Sequence, residues 1–144
     1  MDQLDEDILD LLKHHARMPL SEIGKRIHLT VPAVSERMKK LEAQGVIEKY
    51  TVQLNREKTG ESLLAFIFVN ISGSARIDSF RATVCQFDAV RSCHHLVGEY
   101  DYLLRVVCKD TRALEYFISI QLKKIDGVQK TNTIIALSTI KETW

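Results

Sequence analysis

The spacing of apolar residues changes part-way along the chain, and that change limits what the chain can fold into. Near the N-terminus Leu4, Ile8, Leu11 and Leu12 fall at i, i+4, i+7 and i+8, the apolar face of a helix. Beyond residue 63, short β-prone runs alternate with helical stripes. Such a switch of period calls for a helical unit followed by a mixed α and β unit. The 144 residues suit one ordinary domain or two very small ones. A small unit buries a modest core, so packing against a further copy would add to its stability.

The first fifty residues read as three short helices. Met18-Pro19 ends the first, because the residue before a proline avoids the α region. Ser21 can cap a second helix from Glu22 to Ile27, His28-Leu29 makes a tight connection, and Thr30 caps a third helix over 31–44. Pro32 fits the first turn, where a missing N–H costs little, and Gly45 suits the left-handed C′ position. A short connection between the last two helices is a helix-turn-helix pattern. In IEKYTVQLN (47–55) apolar and polar residues alternate as in a half-exposed strand, and REKTGES (56–62) reads as a linker. The expected organisation is therefore a domain at 1–50, strand and linker at 51–62, and a second domain at 63–144.

In that second domain, strands are expected at 63–72, 89–97, 102–108 and 130–140. Helices carry the stripes Ile77, Phe80, Val84, Phe87 and Leu114, Phe117, Ile118, Leu122, Ile125. The order β-α-β-β-α-β is that of the ferredoxin-like split unit, four antiparallel strands with two helices on one face.

The formal net charge of +1 conceals a gradient. Asp2, Asp5, Glu6, Asp7 and Asp10 make the start of the chain acidic, which reads as a solvated helix face. Between residues 17 and 40, six cations (Arg17, Lys25, Arg26, Arg37, Lys39 and Lys40) meet only Glu22 and Glu36. A locally basic surface matters more to a polyanion than the total does. A helix over 31–44 spans ~21 Å at 1.5 Å per residue, enough to lie in a DNA major groove. At 100° per residue Val31, Val34, Met38 and Leu41 share one side. Pro32, Ala33, Glu36, Lys39 and Lys40 fall opposite, with Ser35 and Arg37 on the flanks. Pro32 and Ala33 suit a thymine methyl, Glu36 can accept from cytosine N4, and Arg37 can reach a guanine or a phosphate. Lys39 and Lys40 fit phosphates, as does Ser21 at the start of the second helix. Alone, this helix could equally be a solvated charged face; the helix-turn-helix layout and the local positive charge favour DNA. One copy makes few contacts, so a dimer on two related half-sites is expected.

Other classes are disfavoured. No apolar run approaches a membrane span, and the acidic N-terminus is unlike a secretory signal. Cys85, Cys93 and Cys108 lack metal-type spacing and read as reduced thiols of a cytoplasmic protein. Cys93 and His95 share a strand face, but a metal needs three or four convergent ligands. No nucleophile–base pair or phosphate loop is evident, so neither an enzyme nor a cofactor is expected.

Both halves together resemble the Lrp/AsnC (leucine-responsive/asparagine-responsive, feast/famine) transcription regulators. LDEDILDLL, ARMPLSEIGKRI and VPAVSERMKKLEAQGVIEKY resemble that family's helix-turn-helix and following strand; LVGEYDYLLRV and TNTIIALSTIK resemble its effector-loop segment and last strand. The resemblance covers nearly the whole chain, with small departures at Thr30, where Ser is common, and at His94-His95. It implies an α+β chain: an N-terminal three-helix, winged-type helix-turn-helix domain linked to a ferredoxin-like (RAM-type) effector-binding and oligomerisation domain. It further implies a nucleoid-associated homodimer that assembles to octamers, with an amino-acid effector bound between subunits. Carried over residue by residue, the effector loop is Gly98, Glu99, Tyr100 and Asp101, with Thr131 and Thr133 as donors to a carboxylate. A plain hairpin turn is the alternative for that loop. The expected function is sequence-specific regulation of transcription. The alternatives are an architectural DNA-wrapping protein and, remotely, an enzyme like the sirohaem decarboxylases, using His94, His95 and Arg91.

Overall fold

Asp2 starts helix α1 (Gln3–His14) with a reciprocal capping box: its carboxylate accepts from the Asp5 N–H, and the Asp5 carboxylate accepts from the Asp2 N–H, both at 3.0 Å. Two of the helix's orphan donors are thereby satisfied. The computed structural model describes residues 1–142, which divide into two compact units, Met1–Gln53 and Leu54–Glu142.

In the first unit α1 is followed by α2 (Leu20–Ile27) and α3 (Val31–Ala43). Ser21 does not cap α2: the helix begins one residue earlier, with Pro19 at the N-cap and Ser21 inside the first turn. The α2–α3 connection turns on His28 in the left-handed region at φ +58, alone among the described non-glycine residues, with its N–H on the Gly24 carbonyl. Gly24 is required there, since a Cβ would lie 2.5 Å from the Leu29 carbonyl oxygen. Thr30 caps α3 by accepting from the Ala33 N–H at 3.4 Å. Past the helix, Gly45 takes φ +70, and Val46 and Ile47 donate to the Leu41 carbonyl. Ile8, Leu12, Ile23, Val34 and Leu41 form the core, between 0% and 8% exposed.

Two further expectations fail in this unit. Val31 is 44% exposed and lies outside the buried stripe, because the first residue of α3 overhangs its neighbours. Residues 47–55 form no strand. Their alternation is real, but no partner edge is provided, and Tyr50, Val52 and Leu54 stay exposed. No wing strand is therefore formed within the chain among the described residues.

The second unit is a four-stranded antiparallel sheet in the order β2-β3-β1-β4. Its strands are β1 (Leu63–Ile71), β2 (Val90–His95), β3 (Tyr102–Cys108) and β4 (Val128–Ala136). Helix α4 (Ile77–Val84) links β1 to β2; α5 (Thr111–Tyr116) continues through a wide π turn and a tight 3-10 turn to Lys124 before β4. Ala65, Ile67, Val69, Tyr102, Leu104 and Val106 point to the helix side and pack on Phe80, Val84, Leu114, Phe117 and Leu122. Alternate residues, including Phe66, Phe68, Leu103 and Ile134, share the other face. Strand β4 stops at Ala136, not 140, because its pairing with β1 ends at Leu64; Leu137 and Ile140 are fully or nearly fully exposed.

Gly24→Ala is predicted to force α3 away from α2 and to cost about 1–3 kcal/mol, as overpacking does. A lowered helical melting transition by circular dichroism confirms this; an unchanged transition refutes it.

Candidate nucleic-acid interface and effector corner

Helix α3 has an anchored side and an open side. Val34 and Leu41 are 0% and 1% exposed, and Met38 is half-buried against the same core. Pro32, Glu36, Lys39 and Lys40 are exposed, while Ala33 and Ser35 are half-buried at the edge. Ser21, within the first turn of α2, is exposed as well. The exposed Val31 adds an apolar group beside Pro32 that helical periodicity alone had assigned to the core.

Arg37 behaves differently from its neighbours. Its Nη1 donates to both Asp2 oxygens at 2.9 and 2.8 Å and to Asp5 Oδ1 at 2.7 Å. The acidic start of α1 is therefore only partly a solvated face: the Asp5 residue is 5% exposed, and its second oxygen is used by the capping box. The Asp2 N–H, then Arg37, hold the Asp5 carboxyl below its ordinary 3.8; the Asp5 N–H, then Arg37, do the same for Asp2. The guanidinium is raised in return, by Asp5 first and Asp2 second. Sequence spacing gave no sign of this contact, which joins residues 32 and 35 positions apart.

Further basic residues lie nearby in the first unit. His15, Arg17 and Arg26 line a shallow cavity of about 530 Å³ with Met18, Thr51 and Val52. Arg26 also pairs with Glu22 at 3.0 Å, a helix-surface pair.

In the second unit the loop 98–101 closes the β2–β3 hairpin. Leu96 donates to the Asp101 carbonyl at 2.7 Å, and Gly98 takes φ +155 in open space. Strand β1 has an irregularity between Asn70 and Ile71. The Ile71 N–H at that point is taken by Asp101 Oδ2 at 2.8 Å, and Asn70 Oδ1 receives the Asp101 N–H at 3.0 Å. One Asp101 oxygen thus knits the loop to β1. Tyr100 lies 5.1 Å from the Phe68 ring, and Lys130 sits 5.2 Å above the Tyr100 ring and 3.4 Å from Glu99 Oε1. Tyr100 and then Glu99 raise the Lys130 ammonium above its ordinary value. Lys130 was missed in the sequence, where it opened an unremarkable strand.

Thr131 and Thr133 do not join this corner. They pair opposite Val69 and Ile67 and so share the helix-covered side of the sheet, whereas Tyr100 packs with Phe68 on the other side. The predicted effector set is split by the sheet within one chain.

The remaining constellations make contacts within the second unit. His95 stacks on Tyr102, 5.0 Å between rings, and Arg81 donates to the Tyr102 hydroxyl at 2.8 Å. Arg91 pairs with Glu61, and His94 pairs opposite Leu103 on the face away from His95. Burial raises the Cys93 and Cys108 thiols. Among the described residues, no three His, Cys, Asp or Glu side chains gather as a metal site.

Comparison with known proteins matches both units. Residues 1–42 fit the AsnC-type helix-turn-helix domain and residues 64–144 the Lrp/AsnC ligand binding domain. An HTH-type transcriptional regulator of Pyrococcus furiosus is 35% identical over 142 residues, covering 99% of this chain and 95% of the relative. A transcriptional regulator of Neisseria meningitidis, solved with L-Met, superposes with a TM-score of 0.94 at 33% identity, covering 99% of this chain and 94% of that one. A feast or famine regulatory protein of M. tuberculosis, solved with L-methionine, gives 0.91 at 30%, covering 98% and 95%.

Because Asp2 and Asp5 titrate below the ordinary carboxylate value, their contribution to stability is complete above about pH 4 and disappears as pH falls through the lowered values. The gap in melting temperature between wild type and Asp5→Asn is predicted to be constant from neutral pH to about 4 and to shrink below it. A gap that persists undiminished in acid contradicts the assignment.

Proposed function

The chain belongs to the Lrp/AsnC family of DNA-binding transcriptional regulators, and from that premise we propose that α3 reads the major groove within a homo-oligomer tuned by a small amino acid. The observation that carries this reading is the open side of α3, Pro32 to Lys40, presented by a helix whose opposite side is held in the core by Val34 and Leu41. Val31, Pro32 and Ala33 supply apolar contacts for thymine methyls, Ser35 and Glu36 face base edges, and Lys39, Lys40 and Ser21 meet phosphates. Arg37 contributes by holding the helix, because its Nη1 is already engaged by Asp2 and Asp5.

Two surfaces support the homo-oligomer: the sheet face away from the helices, with half-buried Phe66, Phe68 and Leu103 and exposed Ile134, and the unpaired segment 47–55. A dimer places two α3 helices on half-sites about 34–36 Å apart, and such dimers assemble further, toward the octamer. The effector corner is Gly98, Glu99, Tyr100, Asp101 and Lys130. Lys130 holds a carboxylate, Glu99 or the second Asp101 oxygen an ammonium, and Thr131 and Thr133 come from another copy. L-methionine, present in two relatives, is the first candidate. This is a cytoplasmic, nucleoid-associated regulator without enzymatic activity or a resident cofactor. The described residues include no helix long and apolar enough to cross a membrane.

Selection of bound genomic fragments, with and without an amino-acid mixture, tests the function. An enriched motif with two-fold symmetry supports it, and enrichment of no motif favours architectural wrapping. Thermal unfolding with each common amino acid tests the effector. A bound effector at a hundred times its Kd is expected to add about 2.7 kcal/mol, and Lys130→Ala is expected to remove that shift. If no amino acid moves stability or DNA affinity, the effector reading fails.

A further inference from the structure

We infer that Asp5, a residue of the first helix and on the acidic side of the unit, is a positioning residue for DNA recognition, acting through Arg37. The inference rests on α3 being the DNA-reading helix. Helix α3 meets the core of the first unit through one stripe, Val34, Met38 and Leu41, and apolar burial is non-directional. A guanidinium–carboxylate contact is directional. Arg37 lies on the flank of α3, between the anchored stripe and the outward Glu36 and Lys40, so its restraint acts at the boundary between the two sides.

The two carboxylates on Arg37 are not equivalent. The Asp5 side chain is 7% exposed, and both its oxygens are occupied, one by Arg37 and one by the Asp2 N–H. The Asp2 side chain is 56% exposed. Asp5 is the fixed end of the restraint; Asp2 is the exchangeable one. Arg37 with Asp2 and Asp5 sums to a charge of −1 beside the DNA-reading surface. Charge alone therefore requires that neutralising either aspartate strengthen DNA binding. Positioning requires opposite responses: loss of Asp5 weakens specific binding although it removes a repulsive charge, and loss of Asp2 does not.

The experiment measures binding of the full chain to the duplex that wild type enriches from a randomised library, and to an unselected random duplex. Asp5→Asn, verified as folded at the assay temperature, is expected to bind the selected duplex about tenfold more weakly, on the scale of one lost charge-assisted hydrogen bond. Its affinity for the random duplex should stay within about twofold, as expected where phosphate contacts are intact. Asp2→Asn should bind the selected duplex at least as tightly as wild type. Arg37→Lys keeps the charge but not the shared geometry; it is expected to lose specific binding in the same sense, and it decides the matter if Asp5→Asn does not fold. Asp5→Asn binding as tightly as wild type or tighter overturns the inference. So does an equal loss on both duplexes, which marks a merely structural role. A wild-type protein with no preference for any duplex overturns the functional reading, and the inference with it.

Discussion

The anchoring of α3 is the constraint on which the DNA-binding half depends. A helix that reads DNA must leave one side bare, so only the opposite side is available to hold it. Here that side is Val34 and Leu41 with half-buried Met38, meeting Ile8, Leu12 and Ile23. Burial of a Val or Leu side chain stabilises by about 1.5–3 kcal/mol, so a core of this size offers few such contributions. The α2–α3 turn at Gly24 and His28 sets the crossing of the two helices, Thr30 fixes where α3 starts, and the Arg37 contact to α1 closes the third side. Each is a polar or backbone device that adds direction to the apolar packing.

The second unit solves a different problem. A ferredoxin-like sheet has helices on one side only, and here the other face carries half-buried Phe66, Phe68 and Leu103 and exposed Ile134. The irregularity at Asn70-Ile71 frees an N–H that Asp101 satisfies, so the loop at 98–101 is held to β1 by the residue that sequence reasoning had assigned to a ligand. The corner is thereby tied to β1 through Asp101, while Glu99 and Lys130 are exposed. Lys130 and the two threonines lie on opposite faces of the sheet, since Thr131 and Thr133 pair opposite Val69 and Ile67.

Features governed by periodicity were legible in the sequence. The three helices, the Thr30 cap, the Gly45 stop, the strand order and the turn at 98–101 follow from local spacing and from what Gly, Pro and Thr do to a backbone. What escaped has long-range causes. The Asp5–Arg37 contact crosses 32 positions, so the acidic start looked like solvated surface and Arg37 like a free cation. Val31 fitted the helical stripe, but a stripe does not reveal where the neighbouring helix ends. Residues 47–55 alternate like a strand, yet a strand exists only against a partner. Lys130 acquires meaning from Tyr100 and Glu99, thirty positions away. On the open side of α3 the sequence had already named the residues, because exposure on a short helix is largely decided by angle.

Contact between bases and the open side of α3 is best tested at Glu36. It is exposed at the middle of that side and has no part in the core. Duplex selection run in parallel with wild type and Glu36→Gln should relax or change the preference at one position in each half-site, leaving the others as they were. An identical preference at every position would mean that this side of α3 does not read bases through Glu36.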